Sequence, residues 1–210
     1  LPPGHSGTVL IMDIHHATQA IIDLNAIAHN LRLVKRRVGP GVRILATVKA
    51  DAYGHGMVEV SRAALDAGAD WLGVNSAWEG KRLREQGISA PILVLGLTSP
   101  REASLIIAHD LSQVISSLEI ARALSISAQE RGKEAVVHLK IDTGMGRLGI
   151  RPEEVLSFGR QLKSLPHVRV EGLMTHFAVS YRRDRSFTLG QLEIFRQVTD
   201  SLESEGFRIP

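Results

Sequence analysis

The sequence predicts an α/β fold, a (β/α)8 TIM-like barrel of which this chain carries about six of the eight strand–helix units. Three observations carry the prediction. Short apolar runs recur roughly every twenty to thirty residues, each followed by a segment of helical periodicity, the alternation of parallel βαβ units. The runs are rich in aliphatic residues, as in strands buried on both faces. Polar residues stand at or near the ends of successive runs: Lys49, Asn75, Lys140 with Asp142, and Thr175 with His176. A barrel gathers such residues from many strands at its mouth, whereas an open doubly wound sheet concentrates its site at one switch point.

Taken in order, residues 1–17 read as a loose leader with Pro2, Pro3, Gly4 and Gly7. Asp13, His15 and His16 could ligate a metal, but a flexible tail lacks the fixed geometry a site needs, and no metal is expected. The span 18–210 reads as one barrel portion. Residues 17–24 suggest a short strand. Ile27, Leu31, Val34 and Val38 then recur at helical spacing up to the stop at Gly39. Strands are expected at 43–49, 71–75, 91–96, 111–115, 135–142 and 169–177. Between the first two, a helical pattern starts near Val58. Ser76-x-x-Glu79, Ser99-x-x-Glu102 and Ser116-x-x-Glu119 fit capping boxes, Pro100 and Pro152 suit first helical positions, and Gly68, Gly87 and Gly132 suit helix ends. In the last helix Leu189, Leu192, Phe195, Val198 and Leu202 share a face suited to the core.

Composition narrows the function classes. Twenty-five basic against 22 acidic residues leave a net charge of +3, which suggests no nucleic-acid surface. The run Arg182, Arg183, Arg185 reads as a solvated loop. The sequence has no cysteine, so disulfides and thiol catalysis are excluded. No secretory signal and no apolar stretch of membrane-spanning length is visible, and the expectation is a soluble, cytoplasmic chain. It opens without methionine and stops at Arg208-Ile209-Pro210, where an apolar strand might begin, so it reads as a piece of something longer.

Three blocks carry chemistry. The first strand ends in Val48-Lys49-Ala50-Asp51-Ala52-Tyr53-Gly54-His55-Gly56. An ammonium there is poorly placed for packing and well placed for a site, because parallel α/β folds open at that end. Taken alone, Lys49 could also snorkel to solvent. The second block is His138-Leu139-Lys140-Ile141-Asp142-Thr143-Gly144-Met145-Gly146-Arg147-Leu148-Gly149. Its glycines match the dinucleotide fingerprint G-x-G-x-x-G, with Glu171 as an acidic residue further on. The context fails, because Lys140, Asp142 and Thr143 precede the first glycine and the helix starts only near Pro152. The third block is Glu171-Gly172-Leu173-Met174-Thr175-His176-Phe177-Ala178.

All three blocks resemble the alanine racemase family, in family order, and Asp23-Leu24-x-Ala26-Ile27-x-His29-Asn30 adds a fourth. Other pyridoxal-phosphate barrels share a strand-end lysine but lack Tyr-Gly-His-Gly together with Asp-Thr-Gly-Met-Gly-Arg-Leu-Gly. The resemblance implies that Lys49 forms the Schiff base with pyridoxal 5'-phosphate and acts as the base on one face of the substrate. It implies that Tyr53 hydrogen-bonds the cofactor phosphate and that His176 stacks on the cofactor ring. Arg147 would bond the phenolic oxygen and face the substrate carboxylate. Lys140 matches a lysine that many members carry as a carbamate, an anion able to pair with Arg147; an ordinary Lys140–Asp142 or Arg147–Asp142 ion pair is the alternative. His55 has no direct role in this reading.

The implied reaction interconverts L- and D-alanine for bacterial cell-wall synthesis. The opposite base would be a tyrosine from the C-terminal β domain of a partner subunit in a homodimer, a domain this chain lacks. The 210-residue piece alone is accordingly expected to be inactive. A racemase of another amino acid, such as serine, or a noncatalytic cofactor-binding module are the alternatives.

Overall fold

The computed structural model describes residues 19–207. Residues 1–17, read above as a leader, with Asp13, His15 and His16, and the closing Arg208-Ile209-Pro210, lie outside them. Helix α1 (Leu24–Val38) opens the described fold. It is followed by β1 (Leu45–Thr47), α2 (Met57–Asp66), β2 (Trp71–Val74), α3 (Ala77–Glu85), β3 (Ile92–Val94), α4 (Ala103–Ala108), β4 (Ser112–Ile115), α5 (Leu118–Glu130), β5 (Ala135–Lys140), α6 (Val155–Lys163), β6 (Val168–Met174) and α7 (Ser186–Ser204).

The six strands form one sheet in the order β1 to β6, every neighbour parallel. A doubly wound sheet reverses its strand order once; this one never does. Right-handed crossovers that always advance in one direction place every helix on the same face. The result is an incomplete (β/α)8 barrel.

Side-chain alternation divides the two faces. Val48, Leu72, Val74, Ile92, Val94, Ile115, Val137, Leu139 and Ile141 are almost fully buried and belong to the main core cluster with helix residues such as Met57, Leu83, Ile106 and Leu124. The intervening residues Arg43, Leu45, Thr47 and Lys49 of the first strand face the concave side, as do Trp71, Leu93, Val114, His138, Lys140 and Leu173. They line a cavity of about 650 Å³. At Gly73 a Cβ would stand 2.5 Å from Leu45 Cδ2 and 3.0 Å from Leu95 Cδ1, so only a bare backbone lets these large neighbours meet.

Helix ends follow their signals at most positions. Ser76 and Ser99 form complete capping boxes with Glu79 and Glu102. Gly68, Gly87 and Gly132 end their helices at positive φ. The arginine run 182–185 is exposed. Arg84 ties the end of α3 to the following segments, donating to the carbonyls of Ile88, Ala90, His109 and Asp110.

Several expectations need correction. The described part of 17–24 is not a strand: Ile21 is 72% exposed, and the Asp23 carboxylate instead caps α1 by accepting the N–H groups of Asn25 and Ala26. An N-cap aspartate competes with extended pairing through its own backbone bonds. The cap of α5 is Ser117, whose hydroxyl accepts from Glu119 N–H, while Ser116 faces the cavity. Pro100 and Pro152 do take first helical positions, each opening a short 3-10 turn (Pro100–Glu102 and Pro152–Glu154) before α4 and α6. In α7 Leu189 is 59% exposed and Gln191 takes the buried position. Gln191, Val198 and Leu202 follow the true helical stripe, and a polar residue holds its first place because it has bonds to make, described below.

Candidate functional site

The site is built at the carboxyl ends of β1, β5 and β6. Val48 N–H continues the ladder by donating to Gly73 O at 2.8 Å. After half-buried Lys49 the chain makes a left-handed turn: Ala50, Asp51, Ala52 and Tyr53 have φ between 51° and 56°. A left-handed non-glycine residue costs about 1–2 kcal/mol, so four in succession hold on the order of 4–8 kcal/mol. Such a turn persists only where its surroundings over-determine it. Here they do. Asp51 Oδ1 accepts Met57 N–H at 3.0 Å and lies 3.7 Å from Arg82 Nη1. His55 Nδ1 lies 2.8 Å from Ala52 O and 3.1 Å from Tyr53 O, which favours the tautomer with the proton on Nδ1. Glu79 Oε1 accepts Ala50 N–H at 2.8 Å. The turn directs Lys49 into the cavity and leaves Tyr53 on its rim, 61% exposed.

The loop after β5 is closed by a parallel bridge between Ile141 and Ile150. Asp142 Oδ1 gathers it from inside, accepting Gly144 N–H at 3.0 Å and Gly146 N–H at 3.1 Å. Gly149 sits at φ 141°, and a Cβ there would stand 2.5 Å from Asp142 N. The glycines therefore shape a loop that presents Arg147 to the cavity. They do not lead into a helix, and the dinucleotide fingerprint is accidental. Glu171 is engaged at the opposite end of the cavity, 3.3 Å from His138 Nε2 and 3.4 Å from Arg169 Nη1. His138 packs edge-on against Trp71 there.

The third contribution comes from the end of β6. Buried Gln191 donates to Thr143 Oγ1 at 3.2 Å and to His176 O at 3.0 Å, and accepts Ala178 N–H at 3.0 Å. Thr143 and Thr175 hydroxyls are 2.8 Å apart, and Thr175 donates to Ile141 O at 3.0 Å. One amide thus locks the His176 segment to the loop that carries Arg147.

Lys49, Tyr53, Lys140, Arg147 and His176 all line the same cavity. Burial, then the Arg147 charge, pushes the Lys140 pKa down against an upward pull from Asp142. Burial, followed by the charges of Lys140, Arg147 and Lys49, pushes His176 down. Among the described residues Lys49, Lys140 and Arg147 make no ion pair within the chain. The alternative Lys140–Asp142 and Arg147–Asp142 pairs are therefore not formed; Asp142 is committed to backbone N–H groups. The cavity wall is a concentration of positive charge suited to an anion. No group of His, Cys, Asp and Glu among the described residues could hold a metal ion. Glu79 and Gln191 are the residues that sequence reasoning missed. Glu79 was visible only as half of a capping box, and Gln191 carried no signal beyond a polar residue at helical spacing with Val198.

Fold and site together define a parallel α/β barrel with a strand-end lysine in an anion-attracting mouth. Residues 22–210 match the family model described as alanine racemase, N-terminal domain, and the chain belongs to the alanine racemase family. It is 45% identical over 197 residues to an alanine racemase of Symbiobacterium thermophilum, an alignment covering 94% of this chain and 52% of that protein. Among solved structures, an alanine racemase from a D-cycloserine-producing Streptomyces lavendulae superposes with a TM-score of 0.84 at 32% identity, over 90% of this chain and 50% of that one. The alanine racemase of Bacillus anthracis with bound L-Ala-P gives 0.83 at 34% identity, over 89% and 48%. The chain spans about half the length of these relatives.

The Asp142 arrangement has a measurable consequence. Burial opposes its ionisation, yet the N–H groups of Gly144, Gly146, Met145 and Arg147 outweigh that and hold its pKa below the usual carboxylate value. A depressed folded-state pKa contributes stability that is complete above the unfolded value near 3.9 and is lost as pH falls through the lower folded value. Asp142→Asn should lower stability at neutral pH by about 1–2 kcal/mol and flatten the acid limb below about pH 4. Urea denaturation at several pH values reads both, and identical acid limbs in the two proteins would contradict the assignment.

Proposed function

We propose that this chain is the cofactor-binding barrel of an enzyme that interconverts L- and D-alanine, with pyridoxal 5'-phosphate held at Lys49. The observation that carries the reading is the convergence of Lys49, Tyr53, Lys140, Arg147 and His176 on one cavity. The residues fit the group: it is an anion with a phosphate and a phenolic oxygen, and the wall supplies cations and a rim hydroxyl. When bound, pyridoxal phosphate supplies an electron sink that acidifies the substrate Cα–H.

The chain's own residues do the rest. Lys49 Nζ would hold the cofactor, and as a free amine it would move the proton at the substrate Cα on one face. Tyr53 donates its hydroxyl to the phosphate. Arg147 offers a planar fork of donors with permanent charge to the phenolic oxygen and the substrate carboxylate. His176, whose pKa is pushed down by burial and then by the Lys140, Arg147 and Lys49 charges, would stack on the ring. Lys140 Nζ, also depressed, is more readily available as the free amine. That amine bonds to carbon dioxide and releases a proton, giving a carbamate anion that pairs with Arg147. The second proton donor is a tyrosine of a partner subunit's C-terminal domain. The whole protein acts as a cytoplasmic homodimer and supplies D-alanine for peptidoglycan. Support for the substrate comes from the relatives being named alanine racemases and from the bound L-Ala-P in the Bacillus anthracis structure.

Two measurements test this. In the complete protein, pyridoxal phosphate should produce a visible band that borohydride removes, with the reduced label mapping to Lys49 and absent in Lys49→Ala. A label spread over surface lysines and unchanged in the variant would contradict it. Isotopically labelled bicarbonate should give a carbamate carbonyl resonance that disappears in Lys140→Ala; a crystal structure with a bare Lys140 ammonium turned to bulk solvent would remove the carbamate.

A further inference from the structure

We propose that Glu79 is a positioning residue for Lys49, and that its carboxylate sets the geometry of the cofactor lysine from the neighbouring strand–helix unit. The inference rests on Lys49 being the cofactor lysine. Glu79 lies in the first turn of α3, where a glutamate three residues after Ser76 has an ordinary helix-capping role. Its carboxylate does more. Oε2 accepts the N–H groups of Asn75 at 2.6 Å and Ser76 at 3.2 Å, while Oε1 accepts Ala50 N–H at 2.8 Å. Ala50 N–H belongs to the peptide that joins Lys49 to the left-handed turn. One ionised side chain therefore clamps the end of β1 to the end of β2.

That peptide plane fixes ψ of Lys49 and with it the direction in which its side chain leaves the strand. Ala50 is itself at φ 51° and ψ 51°, a conformation an alanine abandons when its surroundings permit. The hydrogen bond is charge-assisted, which suits it to hold such a residue. Of the other bonds of the turn, Ala52 N–H donates to Val48 O at 2.9 Å across Lys49, and the rest engage Asp51, Ala52, Tyr53 and Gly56. Among the described residues, Glu79 supplies the side-chain bond at its Lys49 end.

The capping and clamping roles separate experimentally. Ser76→Ala removes the hydroxyl that accepts Glu79 N–H and leaves the carboxylate facing Ala50. Glu79→Gln offers one accepting oxygen to donors that now use two, so the cap and the clamp compete. In the complete protein, both variants should lower the thermal midpoint. Ser76→Ala should still form the borohydride-trapped pyridoxyl adduct on Lys49 at the wild-type rate. Glu79→Gln should form it about tenfold more slowly, the scale of a displaced reacting group, and shift the pH titration of the visible band. Glu79→Asp, with its carboxylate withdrawn by one methylene, is read by the same criteria if Glu79→Gln does not fold. Wild-type trapping and an unshifted titration in a folded Glu79 variant would overturn the proposal. A wild-type protein whose adduct lies elsewhere than Lys49 would overturn it together with the reading of Lys49.

Discussion

Between Lys49 and Gly56 the chain must pass from a buried strand to a packed helix while keeping one ammonium turned toward the cavity. A right-handed turn is the cheaper conformation for Ala50, Asp51, Ala52 and Tyr53, so the left-handed turn exists only because other parts of the fold hold it. Glu79 from α3, Arg82 beside it, and the side chains of Asp51 and His55 supply that hold. The strand pairing of β1 with β2 brings α3 within reach of the turn. Sheet order, helix placement and site geometry are thus linked at this one segment.

The electrostatics follow from the same architecture. Three elements deliver Lys49, Lys140, Arg147 and His176 to one wall. The acidic side chains that could have balanced them are used elsewhere. Asp142 holds the backbone of its own loop, Glu171 faces His138 and Arg169 at the far end of the cavity, and Glu79 serves three N–H groups. Unbalanced positive charge in a concave, partly desolvated site favours an anionic occupant. Gln191 and the paired threonines keep two of these elements in register.

Much of this was legible in the sequence. Apolar runs at regular spacing located all six strands, and polar residues at their ends indicated a barrel mouth. Lys49, Lys140, Arg147 and His176 stood in motifs, so their convergence could be anticipated. The handedness of the Lys49 turn could not, because Ala-Asp-Ala-Tyr contains no glycine to announce positive φ. The bond from Glu79 to Ala50 spans 29 positions and has no local signature. Ser116 and Ser117 both precede α5, and only the backbone chooses between them. The exposure of Leu189 and burial of Gln191 reversed a hydrophobic pattern because burial of the amide is offset by its specific hydrogen bonds.

The central claim is that Lys49 moves a proton at the substrate's Cα. It is tested most directly by incubating the complete protein and pyridoxal phosphate with each alanine enantiomer in deuterium oxide, and following the Cα–H signal by proton NMR. The account predicts exchange of that hydrogen from both enantiomers in the unmodified protein and, in Lys49→Ala, a slowing of about a hundredfold or more for the enantiomer whose Cα–H faces Lys49. Exchange of both enantiomers at the wild-type rate in a folded, cofactor-loaded Lys49→Ala protein would contradict it.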